Sequence, residues 1–90
     1  MAYEVVFTRS AKQAIKRLDR PIALRIRAEL YALAGETTPD RYVKQLKGHD
    51  DPPFHSLRVG DYRVVLQIHN NRLVILVIEI GPRDSIYRKF

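Results

Sequence analysis

Ninety residues, 46% of them apolar, can build one modest hydrophobic core and have no room for a second. Sixteen Lys and Arg against ten Asp and Glu give a formal charge of +6, which favours a polyanionic partner such as nucleic acid, an anionic membrane or an acidic protein. The chain has no cysteine, so disulfides, thiolate zinc sites and cysteine nucleophiles are excluded together.

The opening "MAYEVVFTRS" lacks the basic lead and apolar run of a secretory signal. The longest apolar run, "LVILVI", falls far short of the roughly 20 residues needed to cross a bilayer as a helix. A cytoplasmic chain forming a single domain over residues 1–90 is therefore the expectation.

In chain order, residues 3–8 alternate as a short strand, with Tyr3, Val5 and Phe7 on one side. Thr8 or Ser10 then supplies a hydroxyl cap to a helix carrying Ala11, Ala14, Ile15 and Leu18 at helical spacing. Asp19-Arg20-Pro21 breaks that helix and starts a second, because proline suits a first helical turn. Ile22, Ile26, Leu30 and Leu33 form the stripe of the second helix, and Gly35 closes it.

Residues 36–53 are a long connection in which "RYVKQLKGHD" fits either a helical turn or a short extended piece. "FHSLRV" is a strand, Gly60-Asp61 a tight turn, and "YRVVLQIH" a second strand. Asn70-Asn71 suits a two-residue hairpin, and "RLVILVIEI", apolar on both faces, reads as an interior strand ended by Gly81-Pro82. The order β-α-α-β-β-β predicts an α+β fold: a small, mainly antiparallel sheet with an N-terminal helical hairpin packed on one face.

Two helices cover only one face of such a sheet. In "YRVVLQIH", Tyr62, Val64, Leu66 and Ile68 point one way, and Arg63, Val65, Gln67 and His69 the other. Arg63 is thereby assigned to the open face, and antiparallel pairing can bring Arg58 and Arg83 to the same edge. Clustered guanidinium groups repel, and a phosphate between them removes the repulsion; the planar, permanently charged fork also matches phosphate geometry. Tyr62 and Tyr87 could add stacking on a base or a hydroxyl proton donor. Other chemistry finds less support. His49, His55 and His69 show no metal-ligand spacing, the serines have no companion pattern of base and orienter, and the glycines are isolated turn residues.

The segments "KQLKG", "LRVGDYRVVLQI" and "IGPRDSIYR", together with the opening strand and helical hairpin, resemble the RelE/ParE superfamily of bacterial and archaeal toxins. The resemblance spans nearly the whole chain and implies the same β-α-α-β-β-β fold. RelE-type members are ribosome-dependent endoribonucleases that cut mRNA in the A site. The ribose 2′-oxygen attacks the adjacent phosphate and leaves a 2′,3′-cyclic phosphate and a 5′-hydroxyl, with no cofactor and no metal.

Matched by motif, the resemblance implies that Arg63 binds the phosphate and stabilises the transition state. It makes Arg83 the catalytic partner of Arg63, and Tyr87 the residue that stacks on or orients the nucleotide. Lys44, Lys47 and Arg58 would bind RNA backbone together with His55, whose strand position also makes it a candidate base near the arginines. Some members carry lysines in the strand before the turn, where "FHSLR" has His55, Ser56 and Arg58. The implied partners are the ribosome, mRNA and an acidic, partly disordered antitoxin from a neighbouring gene. Two other readings fit the same composition: a ParE-type toxin that inhibits DNA gyrase, and a non-catalytic basic module that binds RNA or protein.

Overall fold

The computed structural model describes residues 2–46 and 52–89, apart from the side chains of Tyr87 and Lys89. It shows β1 (Glu4–Phe7), α1 (Arg9–Arg17), α2 (Arg20–Ala34), a short 3₁₀ turn (Pro39–Tyr42), β2 (Lys44–Gln45), β3 (Phe54–Val59), β4 (Tyr62–His69), β5 (Val74–Pro82) and α3 (Arg83–Lys89). The five strands form one sheet in the order β1-β5-β4-β3-β2. Only β1 and β5 pair in parallel; every other neighbour is antiparallel. The α+β architecture expected from the sequence is thus observed, with β5 an interior strand.

Thr8 starts α1 because its hydroxyl accepts from the Ala11 amide, while it also donates to the Ile78 carbonyl of β5. Ser10 lies inside the helix rather than capping it. Pro21 sits in the first turn of α2, where its missing amide leaves no helical bond unmade. Ala11, Ile15, Ile26, Leu30 and Leu33 meet Leu57, Val59, Val64, Leu66, Ile75 and Val77 in the main core between the hairpin and the sheet. Ile26, Leu30, Leu66 and Ile75 are fully buried, each contributing about 1.5–3 kcal/mol of transfer free energy.

The sequence reading is amended at three places. The undecided connection holds both a helical turn and an extended piece, the 3₁₀ turn followed by β2. The β4–β5 turn spans four residues, Asn70 to Leu73, because β5 begins at Val74 rather than Arg72; Leu73 takes φ 54° to close it. Gly81 and Pro82 do not lie beyond the last strand but are its final two residues, paired with Arg63 and Tyr62. The chain then turns directly into α3, a helix not expected from the pattern. Ile86 of α3 packs on the second face of the sheet against Leu46 and Val65, with Phe54 and Ile78 at the margin, and makes a small second core.

Candidate functional site

Strand alternation and register decide what the second face presents. Arg58 and Arg63 are direct cross-strand partners, and Arg63 is in turn opposite Gly81, so one row across β3, β4 and β5 reads Arg, Arg, Gly. Like charges placed opposite one another destabilise a sheet, so this pair does not serve folding. The adjacent row contains Lys44, Ser56 and Val65, which puts exposed Lys44 on the same face, about 7 Å further along the strands.

Arg63 is half-buried, and its Nη1 donates to Ser56 Oγ at 2.8 Å. Ser56 itself is only 3% exposed, so the contact is a sheltered, charge-assisted bond that fixes the guanidinium plane. Arg58 is exposed, and its Nε donates to the Gly60 carbonyl at 3.2 Å. Gly60 takes φ 60°, the left-handed conformation glycine adopts without penalty.

The Arg83 amide donates to the Asp61 carbonyl at 3.0 Å and ties the start of α3 to the β3–β4 turn. The Arg83 side chain is exposed beside a shallow cleft of about 310 Å³ lined by Asp61, Pro82, Arg83 and Asp84. Gly81 lets α3 approach this end of the sheet, since a Cβ there would stand 3.2 Å from Ile86 Cδ1. The register therefore brings Arg58, Arg63 and Lys44 to one face of the sheet, and Arg83 begins α3 at the end of β5 where Gly81 pairs with Arg63. Tyr87 lies on α3, but its side chain is outside the described residues, as is the whole of Lys47.

Two residues stand elsewhere. His55 shares its side of β3 with Leu57 and Val59, facing the helix-side core, and is 8% exposed. The expectation that His55 joins the arginines is corrected on this ground. Burial lowers its pKa below the ordinary 6.5, against opposing contributions from the Asp40 carboxylate and the Pro53 carbonyl. Tyr62 likewise packs into the main core rather than over the arginines.

Sequence reasoning overlooked Ser56 as the partner of Arg63, although alternation with Arg58 already put it on that face. It also overlooked Arg25. The Nη1 of Arg25, on α2, lies 3.4 Å from where a Cβ on Gly60 would stand, so a hairpin arginine reaches the same turn. No signal in the sequence marks that contact, which depends on how the helices pack. Among the described residues, no group of His, Asp and Glu side chains could hold a metal ion. No described helix is long and apolar enough to cross a membrane.

A family model described as the ParE toxin of the type II toxin–antitoxin system parDE matches residues 5–87. The chain belongs to the RelE/ParE toxin superfamily. Toxin RelE of Mycobacterium tuberculosis is 34% identical over 86 residues, covering 96% of this chain and 87% of that one. Among solved structures, the archaeal RelE–RelB complex of Pyrococcus horikoshii is similar at a TM-score of 0.76 and 27% identity, with 92% of this chain and 97% of that chain covered. The RelBE2 toxin–antitoxin complex of Mycobacterium tuberculosis aligns with a TM-score of 0.78 at 24% identity, covering 92% and 93%. A free mutant of E. coli RelE also reaches 0.78, at 21% identity with 98% and 93% covered. The latter two similarities concern the RelE fold.

Proposed function

We propose that this toxin is a RelE-type, ribosome-dependent endoribonuclease that cuts mRNA in the A site and so inhibits translation. The observation that carries this reading is the guanidinium of Arg63, held by the sheltered Ser56 hydroxyl directly across from Arg58 and beside the strand end that leads into Arg83. Such a fixed cation, with exposed arginines on either side of it in the chain, suits a phosphate whose negative charge grows during reaction.

In the proposed chemistry the ribose 2′-oxygen attacks the adjacent phosphorus and the P–O5′ bond breaks. The 2′-hydroxyl proton leaves to a base, and the departing 5′-oxygen receives a proton. Arg63 and Arg83 stabilise the pentacoordinate transition state, Tyr87 orients the nucleotide, and Arg58 and Lys44 hold neighbouring phosphates. His55 is not the base in this scheme, because it points into the opposite core.

A cognate antitoxin is the expected partner, because RelE toxins of Mycobacterium tuberculosis, Pyrococcus horikoshii and E. coli are each found in complex with a RelB-type chain. The basic composition favours an acidic, partly disordered antitoxin that orders as it binds.

The ParE family model favours a second reading, inhibition of DNA gyrase on the same fold. Cell-free translation and gyrase supercoiling, run with the same preparation and with Arg83→Ala, separate the two. Loss of translation that yields 2′,3′-cyclic phosphate ends and disappears in the variant supports cleavage. Arrested supercoiling with intact message supports the ParE reading.

A further inference from the structure

One aromatic ring stands largely in solvent at the border of the arginine face. Tyr42 is 59% exposed, although it closes a turn that is otherwise well anchored. Pro39 at the start of that turn is fully buried, the Arg41 amide donates to the Thr38 carbonyl at 3.1 Å, and Val43 packs on the main core. Val43 has an extended backbone, so its neighbours Tyr42 and Lys44 stand on the side away from that core, which is the second face of the sheet. Among the described residues, the Tyr42 hydroxyl has no hydrogen-bond partner and no cation lies over its ring. A ring so exposed adds little to folding through burial.

The register gives the ring its place. Lys44 pairs with Ser56, so extending that pairing by two residues sets Tyr42, just outside β2, opposite Arg58. Arg58 is in turn opposite Arg63, which makes one row of Tyr42, Arg58, Arg63 and Gly81 with about 4.8 Å between neighbouring strands. The exposed cations Arg41, Lys44 and Arg58 surround the ring. The acid of the turn, Asp40, acts instead on His55 of the opposite face.

We propose that Tyr42 is a base-stacking residue that positions single-stranded RNA on the arginine face. A single strand offers what this row meets: phosphates for the guanidinium groups and an unpaired base whose face lies on the ring. The proposal rests on the reading of that face as a phosphate site. Arg58 stands between Tyr42 and Arg63, so the stacked base belongs to a nucleotide flanking the reacting phosphate. Every base has a face to stack, so Tyr42 holds the strand in place without choosing its sequence. The buried Pro39 and Val43 on either side hold the backbone beneath the ring, so little order has to be gained on binding.

The test is fluorescence anisotropy of a short single-stranded oligoribonucleotide, 2′-O-methylated so that it cannot be cut, and of its abasic counterpart. Wild type, Tyr42→Ala, Tyr42→Phe and Arg58→Ala are titrated over a range of salt, with circular dichroism to check that each is folded. Tyr42→Ala should bind the normal oligomer roughly 5–150-fold more weakly, the equivalent of about 1–3 kcal/mol for one stacked base, and Tyr42→Phe should stay within about twofold of wild type. The slope of log K against log salt should not change in Tyr42→Ala, whereas Arg58→Ala should lose about 0.7 from it. On the abasic oligomer, wild type and Tyr42→Ala should bind alike, a result that a merely structural role for the ring does not produce. Equal affinity of wild type and Tyr42→Ala for the normal oligomer would overturn the proposal. So would an equal loss on both oligomers, or a wild-type protein that binds neither at low salt. The predicted loss combined with an uncut message on ribosomes keeps the stacking and refutes the cleavage reading; cleavage combined with full affinity in Tyr42→Ala does the reverse.

Discussion

Replacing Ile86 with alanine should release α3 without unfolding the protein. Ile86 is 4% exposed and packs on Leu46 and Val65 in the small second core, apart from the main core beneath the hairpin. The substitution removes three carbons, worth about 0.8 kcal/mol each by transfer, and leaves a cavity, so a loss of about 2–4 kcal/mol is expected. A helix of seven residues has no stability of its own and depends on that contact to stay docked. A loss of 2 kcal/mol corresponds to roughly thirtyfold faster opening-limited exchange. Native-state hydrogen exchange should therefore show the amides of α3 losing at least that much protection. The thermal midpoint should fall as well, by roughly 4–8 °C for each kcal/mol lost in a domain of this size, because the docked helix is part of the native state. Unchanged protection in α3, or a thermal midpoint equal to that of wild type, would refute the reasoning. If Arg83 acts as proposed, cleavage should fall in the same variant, because α3 begins at that residue.

Thr8→Ala removes both the cap to the Ala11 amide and the bond to the Ile78 carbonyl, and should cost about 1–2 kcal/mol in urea denaturation. Gly60→Ala places a side chain at φ 60°, costing roughly 1–2 kcal/mol and crowding Arg25, so both stability and activity should decline. The depressed pKa of His55 makes stability depend on acid: as pH falls below 6.5 the unfolded chain takes up a proton that the folded chain resists, and stability drops until the folded pKa is reached. Urea midpoints between pH 7.5 and 5.5 should fall less steeply in His55→Gln than in wild type; parallel curves would show that His55 is not the cause.

Most of the fold was legible because its signals are local and mutually consistent. The alternation in "YRVVLQIH" assigned Arg63 to the face away from the helices, and the β3–β4 register placed Arg58 directly opposite. The spacing of Ile22, Ile26, Leu30 and Leu33 matched the buried stripe of α2, with only Ile22 left partly exposed. His55 was legible too, since Leu57 and Val59 share its side of the strand, and the alternation that separates it from Ser56 and Arg58 was not applied to it.

Other features depend on tertiary contact. In α3, Ile86 is the only aliphatic side chain in "RDSIYRK", too little to mark a helix without the surface it docks on. The residue that re-phases β5 is Ile78, because Val65 and Leu66 pair with Glu79 and Val77 on either side of it, and no residue type announces such a bulge. The reach of Arg25 to the Gly60 turn depends on how α2 crosses the end of the sheet.

The central claim is that the arginines on the second face of the sheet form a phosphate site for message cleavage. A primer-extension map of a defined mRNA on purified ribosomes tests it most directly, with wild type, Arg63→Ala and Arg83→Ala compared. Cuts confined to the A-site codon, absent without ribosomes and lost in both variants, are the predicted result. An uncut message with wild-type protein, or cleavage that survives both substitutions, would contradict it.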